Sequence, residues 1–229
     1  MMFTVFLCVL TTVHIVGSAS EVLFSDDFSS GELESNWILY GDPQPRILDS
    51  LGVTPPCFNN NGDSMFGSGV FSREVFKIGE GLRVECDMYL ECAERGTWVT
   101  ATLAIVTPDF RDERTQRDFS IARMEIFYSG ELDWGTPHRQ CVLQLASGDC
   151  EGVNFRYEQY HQNQLLNNWH TYCIEINEDR LVTFFINDSL IVSSPVMIPD
   201  TVETVRIQLG NRSSDWGIAL HDNLVVYRP

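Results

Sequence analysis

Lysine is nearly missing from this chain. Of its 15 basic residues only Lys77 is a lysine, and they face 32 aspartates and glutamates, for a net charge of −17. A surface so short of positive charge repels phosphate backbones and anionic headgroups, which argues against nucleic acid and membrane surfaces as partners. Helical periodicity is almost absent as well, which excludes helical bundles and alternating strand–helix folds. Chemical signatures are equally scarce. There is no Cys-x-x-Cys, no zinc-like Cys/His spacing, no G-x-S-x-G elbow, no P-loop and no His-Glu-x-x-His, and His138, His161, His170 and His221 stand singly. Past the first twenty residues no apolar run reaches the length of a membrane span, and no Pro/Ser-rich linker, repeat or low-complexity tract divides the chain.

What is present begins with MMFTVFLCVLTTVHIVGSAS, free of Asp, Glu, Lys and Arg, apolar from Thr4 to Gly17, with Gly17-Ser18-Ala19 as small residues before a cut. Residues 1–20 read as a cleaved signal peptide, and residues 21–229 as one domain that is secreted to the extracellular space. Export and an even number of remaining cysteines (Cys57, Cys86, Cys92, Cys141, Cys150 and Cys173) predict disulfides. Cys141 and Cys150 flank VLQLASGD, whose Ala146–Asp149 reads as a turn, so these two are expected to face each other across a hairpin. The other four allow several pairings. Cys86 and Cys92 cannot bridge within one continuous strand, which would hold them far beyond disulfide reach.

Short β-branched and aromatic runs, separated by Gly, Asn, Asp and Pro, predict strands from Val22–Ser25 to Ile218–Tyr227. In Leu82–Glu91 the residues Leu82, Val84, Cys86, Met88 and Leu90 share one face and belong to a core, while Arg83, Glu85, Asp87, Tyr89 and Glu91 share the other. WHTYCIEINEDRLVTFFINDSLIV, from Trp169 to Val192, reads as a β-meander turning at Asn177–Arg180 and again at Asn187-Asp188-Ser189. Trp37 and Trp169 are expected in the core, and His170 as a hydrogen-bonded structural histidine. Asn187-Asp188-Ser189 and Asn211-Arg212-Ser213 fit the N-glycosylation sequon. Trp134 in GELDWG and Trp216 in SSDWG lie in polar, turn-rich segments, each preceded by an aspartate, Asp133 and Asp215. A sugar site needs aromatic faces for pyranose rings and carboxylates for hydroxyls, so these four residues are the candidate ligand-binding set.

Three stretches carry a family resemblance. LFSDDFSSGELESNWILYG resembles the F-x-D-x-F…L…W opening of family-16 glycoside hydrolases, WHTYCIEIN…RLVTFFINDSLI resembles a late meander of laminin G-type and related modules, and DNLVVY resembles a D-x-V-x-V-Y closing strand. In this order they resemble the concanavalin A-like lectin/glucanase superfamily. The resemblance implies an all-β fold, a jelly-roll β-sandwich of two antiparallel sheets, one of which often forms a carbohydrate groove. It also implies a structural Ca2+, held by the Asp222 side chain and the Asp27 carbonyl, with Asp26 a further ligand; calcium wants six to eight oxygens.

Family-16 hydrolysis needs two carboxylates about 5 Å apart, placed by this family as E-x-D-x-E on one strand face. Glu85 and Asp87 match the first half, but Tyr89 stands where the second Glu belongs, and Glu91 is one residue past the bulged spacing. Glu125 in RMEIF is a lone carboxylate. Three readings follow: a non-catalytic module binding a polysaccharide or other glycan, a diverged glycoside hydrolase or lyase, and a laminin G-like domain for a surface protein. The first is expected.

Overall fold

Two-residue alternation of apolar side chains, strict in Leu82–Leu90 and Leu181–Ile186, gives a strand one face to bury and calls for a second sheet to cover it. The computed structural model describes residues 20–41, 44–59, 68–91, 98–109, 120–129, 140–149, 152–160, 163–211 and 218–229. Among them there is no α-helix. The strands are β1 (Glu21–Asp26), β2 (Trp37–Tyr40), β3 (Arg46–Leu48), β4 (Cys57–Asn59), β5 (Ser68–Ser72), β6 (Phe76–Lys77), β7 (Leu82–Leu90) and β8 (Trp98–Val106). They continue as β9 (Ala122–Ser129), β10 (Gln140–Asp149), β11 (Gly152–Tyr160), β12 (His170–Ile176), β13 (Leu181–Ile186), β14 (Ser189–Met197), β15 (Thr204–Asn211) and β16 (Ala219–Arg228).

Sheet A runs β14-β13-β12-β7-β16-β4-β3, with β1 also paired to β16; sheet B runs β11-β10-β9-β8-β15-β5-β2, with β6 beside β15. The pairings are antiparallel, as expected for the sandwich. One core lies between the sheets. Sheet A supplies Leu82, Val84, Cys86, Met88, Leu90, Tyr172, Ile174 and Ile176, all fully buried, and sheet B answers with Leu103, Ile105, Met124 and Ile126. The expected meander is β12-β13-β14. Its second turn has Asn187 at φ 49° and Asp188 at φ 60°, the left-handed pair of a tight hairpin that follows the strands' twist.

The opening motif proves to be a structural clasp. Asp26 Oδ1 accepts a bond from the Phe28 amide at 2.8 Å, and Oδ2 accepts from Trp37 Nε1 at 2.8 Å and Asn36 Nδ2 at 3.1 Å. Phe28 is held at φ 57°, an uncommon region for a bulky residue, and stacks on both Trp37 and Phe58. The carboxylate thus fixes the turn that drops Phe28 and Trp37 into the core.

Several expectations change. Trp169 is only half-buried, against Tyr89 on the outer side of sheet A, because it falls on the same face as Thr171, Cys173 and Glu175, opposite the core residues Tyr172, Ile174 and Ile176. The turn expected at Ala146–Asp149 is strand: β10 continues to Asp149, which pairs with Gly152. Cys141 and Asp149 therefore lie eight residues apart on one strand, about 26 Å, and Cys150, the expected partner of Cys141, lies outside the described residues. Cys57, Cys86 and Cys173 are buried thiols; burial pushes those of Cys57 and Cys173 up to about 12. The signal segment, Cys92 and Cys150 lie outside the described residues. Among the described residues no helix is long and apolar enough to cross a membrane.

The clasp makes a direct prediction. Asp26→Ala strands the Trp37 indole N–H and releases Phe28, and should lower unfolding stability by about 3 kcal/mol in a urea titration. A change below about 0.5 kcal/mol would show that the motif is not structural.

Candidate functional site

The two sheets differ in what they turn away from the core. On the outer face of sheet A, Arg83 donates to Glu85 at 2.7 Å and to Glu175 at 2.9 Å, and lies over the Phe185 ring at 5.3 Å. Asp87 accepts from Thr171 and, at 2.9 Å, from Asn223 Nδ2. Glu85 and Asp87, the nearest sequence match to a catalytic pair, are thus spent on neighbours on a half-exposed face. His170 is the structural histidine expected, bonded to Gln164 O at 3.0 Å and Asn187 Nδ2 at 2.9 Å.

Sheet B carries polar side chains that are buried although they point away from the core. Because Ala101, Leu103, Ile105, Met124 and Ile126 face inward, Thr102, Arg123 and Glu125 must face outward. Register then aligns them across seven strands. One row runs Tyr40–Gly69–Gly210–Thr102–Glu125–Gln144–Glu158. The row beside it runs Ile38–Phe71–Gln208–Ala104–Arg123–Ala146–Arg156. From Thr102 to Glu158 the polar row crosses three strand spacings, about 14 Å.

Within it Thr102 Oγ1 donates to Glu125 Oε2 at 3.4 Å, Arg123 Nε stands 3.9 Å from the same carboxylate, and Gln144 Nε2 donates to Glu158 Oε1 at 3.0 Å. Tyr40 accepts from Gln208 Nε2 at 2.7 Å. Glu125 is 1% exposed and Arg123 4%. A carboxylate and a guanidinium held this deep on an outer face are expensive unless bonded, so their placement marks a built polar surface. Its open members are Gln144, half-buried, and Glu158, exposed; Thr102 and Glu125 hold the buried end of the same line.

Among the described residues this surface holds no retaining hydrolase pair. On β9 the positions flanking Glu125 on its own face hold Arg123 and Phe127. The next described carboxylate in the row, Glu158, is two strand spacings away, about 9.5 Å, against the 5–5.5 Å needed for double displacement. Gln144, bonded to Glu158, occupies the ground between, where an inverting enzyme would hold its water.

Trp134, Asp133, Trp216 and Asp215 lie outside the described residues. The strands that lead into their segments can be placed. β9 ends at Ser129, paired with Trp98 at the start of β8, and β15 ends beside the same part of β8, where Gly210 pairs with Thr102. Both strands therefore end on one edge of sheet B.

The carboxylates of the expected calcium set are engaged by N–H donors. Asp222 Oδ2 accepts from the amides of Val53 at 2.9 Å and Thr54 at 3.1 Å, and Oδ1 from the Asn223 amide at 2.8 Å. Burial raises its carboxyl above the ordinary range while those N–H groups pull it down. Asp26 is spent on the clasp, and the exposed Asp27 carboxylate accepts from the Ser29 amide at 3.0 Å. Among the described residues no three His, Cys, Asp or Glu side chains form a group that could hold a metal. Carboxylates surrounded by N–H donors do not fit a cation that wants six to eight oxygens.

No family model and no curated protein matches the chain. The architecture is the concanavalin A-like jelly roll. Among solved structures it is similar to the carbohydrate recognition domain of Emp47p, at 12% identity and TM-score 0.61 over 93% of this chain and 99% of that one. It is also similar to lectin I-B4 from Griffonia simplicifolia in its metal-free form, at 10% identity and TM-score 0.58 over 91% and 98% of the two chains. A third is a family-16 endo-glucanase from Bacteroides ovatus, at 12% identity and TM-score 0.57 over 90% and 100%. At such identities the likeness is one of fold.

Beneath the polar row the sheets are joined by His221, fully buried on β16. Its Nε2–H donates to Thr102 O at 3.0 Å, its ring lies 5.5 Å from Phe58, and Nδ1 has no partner among the described residues. Burial pushes the imidazole down to about 4 from 6.5. The neutral form is favoured in the folded state, so this contribution is complete above pH 6.5 and is lost as pH falls toward 4. The loss should total about 3 kcal/mol. Melting temperature followed against pH should show it, and His221→Gln should flatten that slope; an unchanged slope in the variant would contradict the assignment.

Proposed function

We propose that the mature chain is an exported, non-catalytic glycan-binding module that holds its ligand on the outer face of sheet B. The observation that carries this reading is the cross-strand line Thr102–Glu125–Gln144–Glu158, a polar row on a face that a purely structural sheet would leave apolar or solvated. Support comes from the neighbours of shared fold, which include a carbohydrate recognition domain and a lectin. The glucanase neighbour shows that the same sandwich also carries hydrolysis, and fold alone does not choose between them. The choice rests on Arg123 and Phe127, which stand beside Glu125 where a second carboxylate would be needed. Trp134 and Trp216 are the stacking residues of this proposal, with Asp133 and Asp215 as hydroxyl acceptors.

Retention of the mature protein on a panel of insoluble and immobilised polysaccharides tests the proposal, with released sugar ends assayed in the same tubes. Retention without release is expected. Gln144→Ala, Glu158→Ala, Trp134→Ala and Trp216→Ala should each weaken it by about tenfold, roughly the worth of one good polar or stacking contact. Glu85→Gln on the other sheet should leave it unchanged. Release of sugar ends would overturn the non-catalytic reading. Absence of both retention and release would transfer the proposal to a surface-protein partner.

A further inference from the structure

The tip of the β13–β14 hairpin holds a side chain that is fixed and yet open to solvent. Asn187 and Asp188 take the two left-handed positions of the turn, and Ile186 pairs with Ser189 on either side of them. Asparagine tolerates such a position well. Asn187 also clamps the hairpin to β12. Its Oδ1 accepts from the Thr171 amide at 3.0 Å, and its backbone amide donates to Thr171 O at 2.9 Å. His170 Nε2 lies 3.0 Å from Gln164 O, and a carbonyl can only accept, so this nitrogen carries the proton. Nδ1 is then the acceptor, and Asn187 Nδ2 donates to it at 2.9 Å.

This clamp uses one N–H of Nδ2, which carries two. Asn187, Asp188 and Ser189 are all exposed. The turn and the clamp account for Asn187 but not for Ser189, whose hydroxyl makes no hydrogen bond among the described residues. A hydroxyl two residues after an asparagine, with no proline between, is the acceptor pattern for N-linked glycans. The other such asparagine, Asn211, is the last residue of β15 and is paired there with Ser68.

Resting on the export part of the proposed function, we infer that Asn187 is a site of N-linked glycosylation, rooting a glycan at the tip of sheet A. In the transfer, Nδ2 bonds to the anomeric carbon of an oligosaccharide carried on a lipid diphosphate. The bond from that carbon to the diphosphate oxygen breaks, the lipid diphosphate leaves with the electron pair, and Nδ2 gives up one proton. The product amide keeps its carbonyl oxygen and one N–H, the two groups that the bonds to Thr171 and His170 use. The hairpin belongs to sheet A, so the glycan is rooted on the layer opposite the Thr102–Glu158 row.

The test is to secrete the full chain from a eukaryotic cell line and map its peptides before and after an amidase that releases N-glycans, leaving aspartate at each carrier asparagine. Conversion of Asn187 is expected. Ser189→Ala leaves the clamp in place and should abolish the modification, Ser189→Thr keeps a hydroxyl and should preserve it, and Ser213→Ala removes only the other sequon and should leave Asn187 modified. Secreted protein with Asn187 unmodified would overturn the inference and leave export standing. A chain that stays in the cell would count against export; replacing residues 1–20 with the host's own secretion leader then carries residues 21–229 through the same pathway and decides the site separately. The wild-type peptide map gives the answer even if Ser189→Ala does not fold.

Discussion

Register is the constraint on which the outer face of sheet B depends. In a strand, a slip of one residue exchanges every side chain between core and surface. Met124 and Ile126 sit fully buried between the sheets, and this places Arg123 and Glu125 on the opposite side of β9. The same holds for Leu103 and Thr102, and for Leu143, Leu145 and Gln144. The polar row exists because seven strands keep one register from Tyr40 to Glu158. A slip would drive Glu125 into the core, where an unpaired carboxylate is intolerable. Hydrophobic packing on one side of the sheet thus sets the positions of the chemistry on the other.

The two outer faces take different routes to the same requirement, that every charge be answered. Sheet A answers its carboxylates locally: Arg83 reaches Glu85 and Glu175, and Asp87 is held by Thr171 and Asn223. Those groups are half-exposed, so the pairs add little to stability and shape a solvated surface. Sheet B buries its polar groups, where each bond matters more and a fixed arrangement is maintained. His221 couples the sheets, since its bond to Thr102 O anchors the backbone of a row residue from the opposite layer. The Asp26 clasp performs a comparable task at the chain's start, seating Trp37 and leading directly into β2, which carries Tyr40.

Much of the fold was legible because its strands alternate clearly. Leu82–Leu90 shows the period without interruption, and the meander from His170 onward follows the same rule. β3 and β4 are not legible in the sequence, because each is three residues long in a proline-rich stretch, too short to display a period. The site was harder to see. Glu85 and Asp87 drew attention because their spacing is linear, yet they face solvent. Glu125 has no partner within its strand; its neighbours Thr102 and Gln144 come from β8 and β10. Cross-strand pairing cannot be read along one segment. The available hint was local: in IARMEIFY two charges stand at alternate positions of an otherwise apolar strand, the mark of a strand whose second face is not ordinary surface. The turn expected at Ala146–Asp149 failed for a related reason. ASGD has turn composition, but its place in a ladder between β9 and β11 keeps it extended.

The most direct test of the account is hydrogen–deuterium exchange of the mature protein with and without the polysaccharide that retains it. Binding on sheet B predicts slowed amide exchange in β8, β9, β10 and β11, with β7 and β12 of sheet A unchanged. Slowed exchange confined to β7 and β12, around Glu85, Asp87 and Thr171, would contradict the assignment of the binding face.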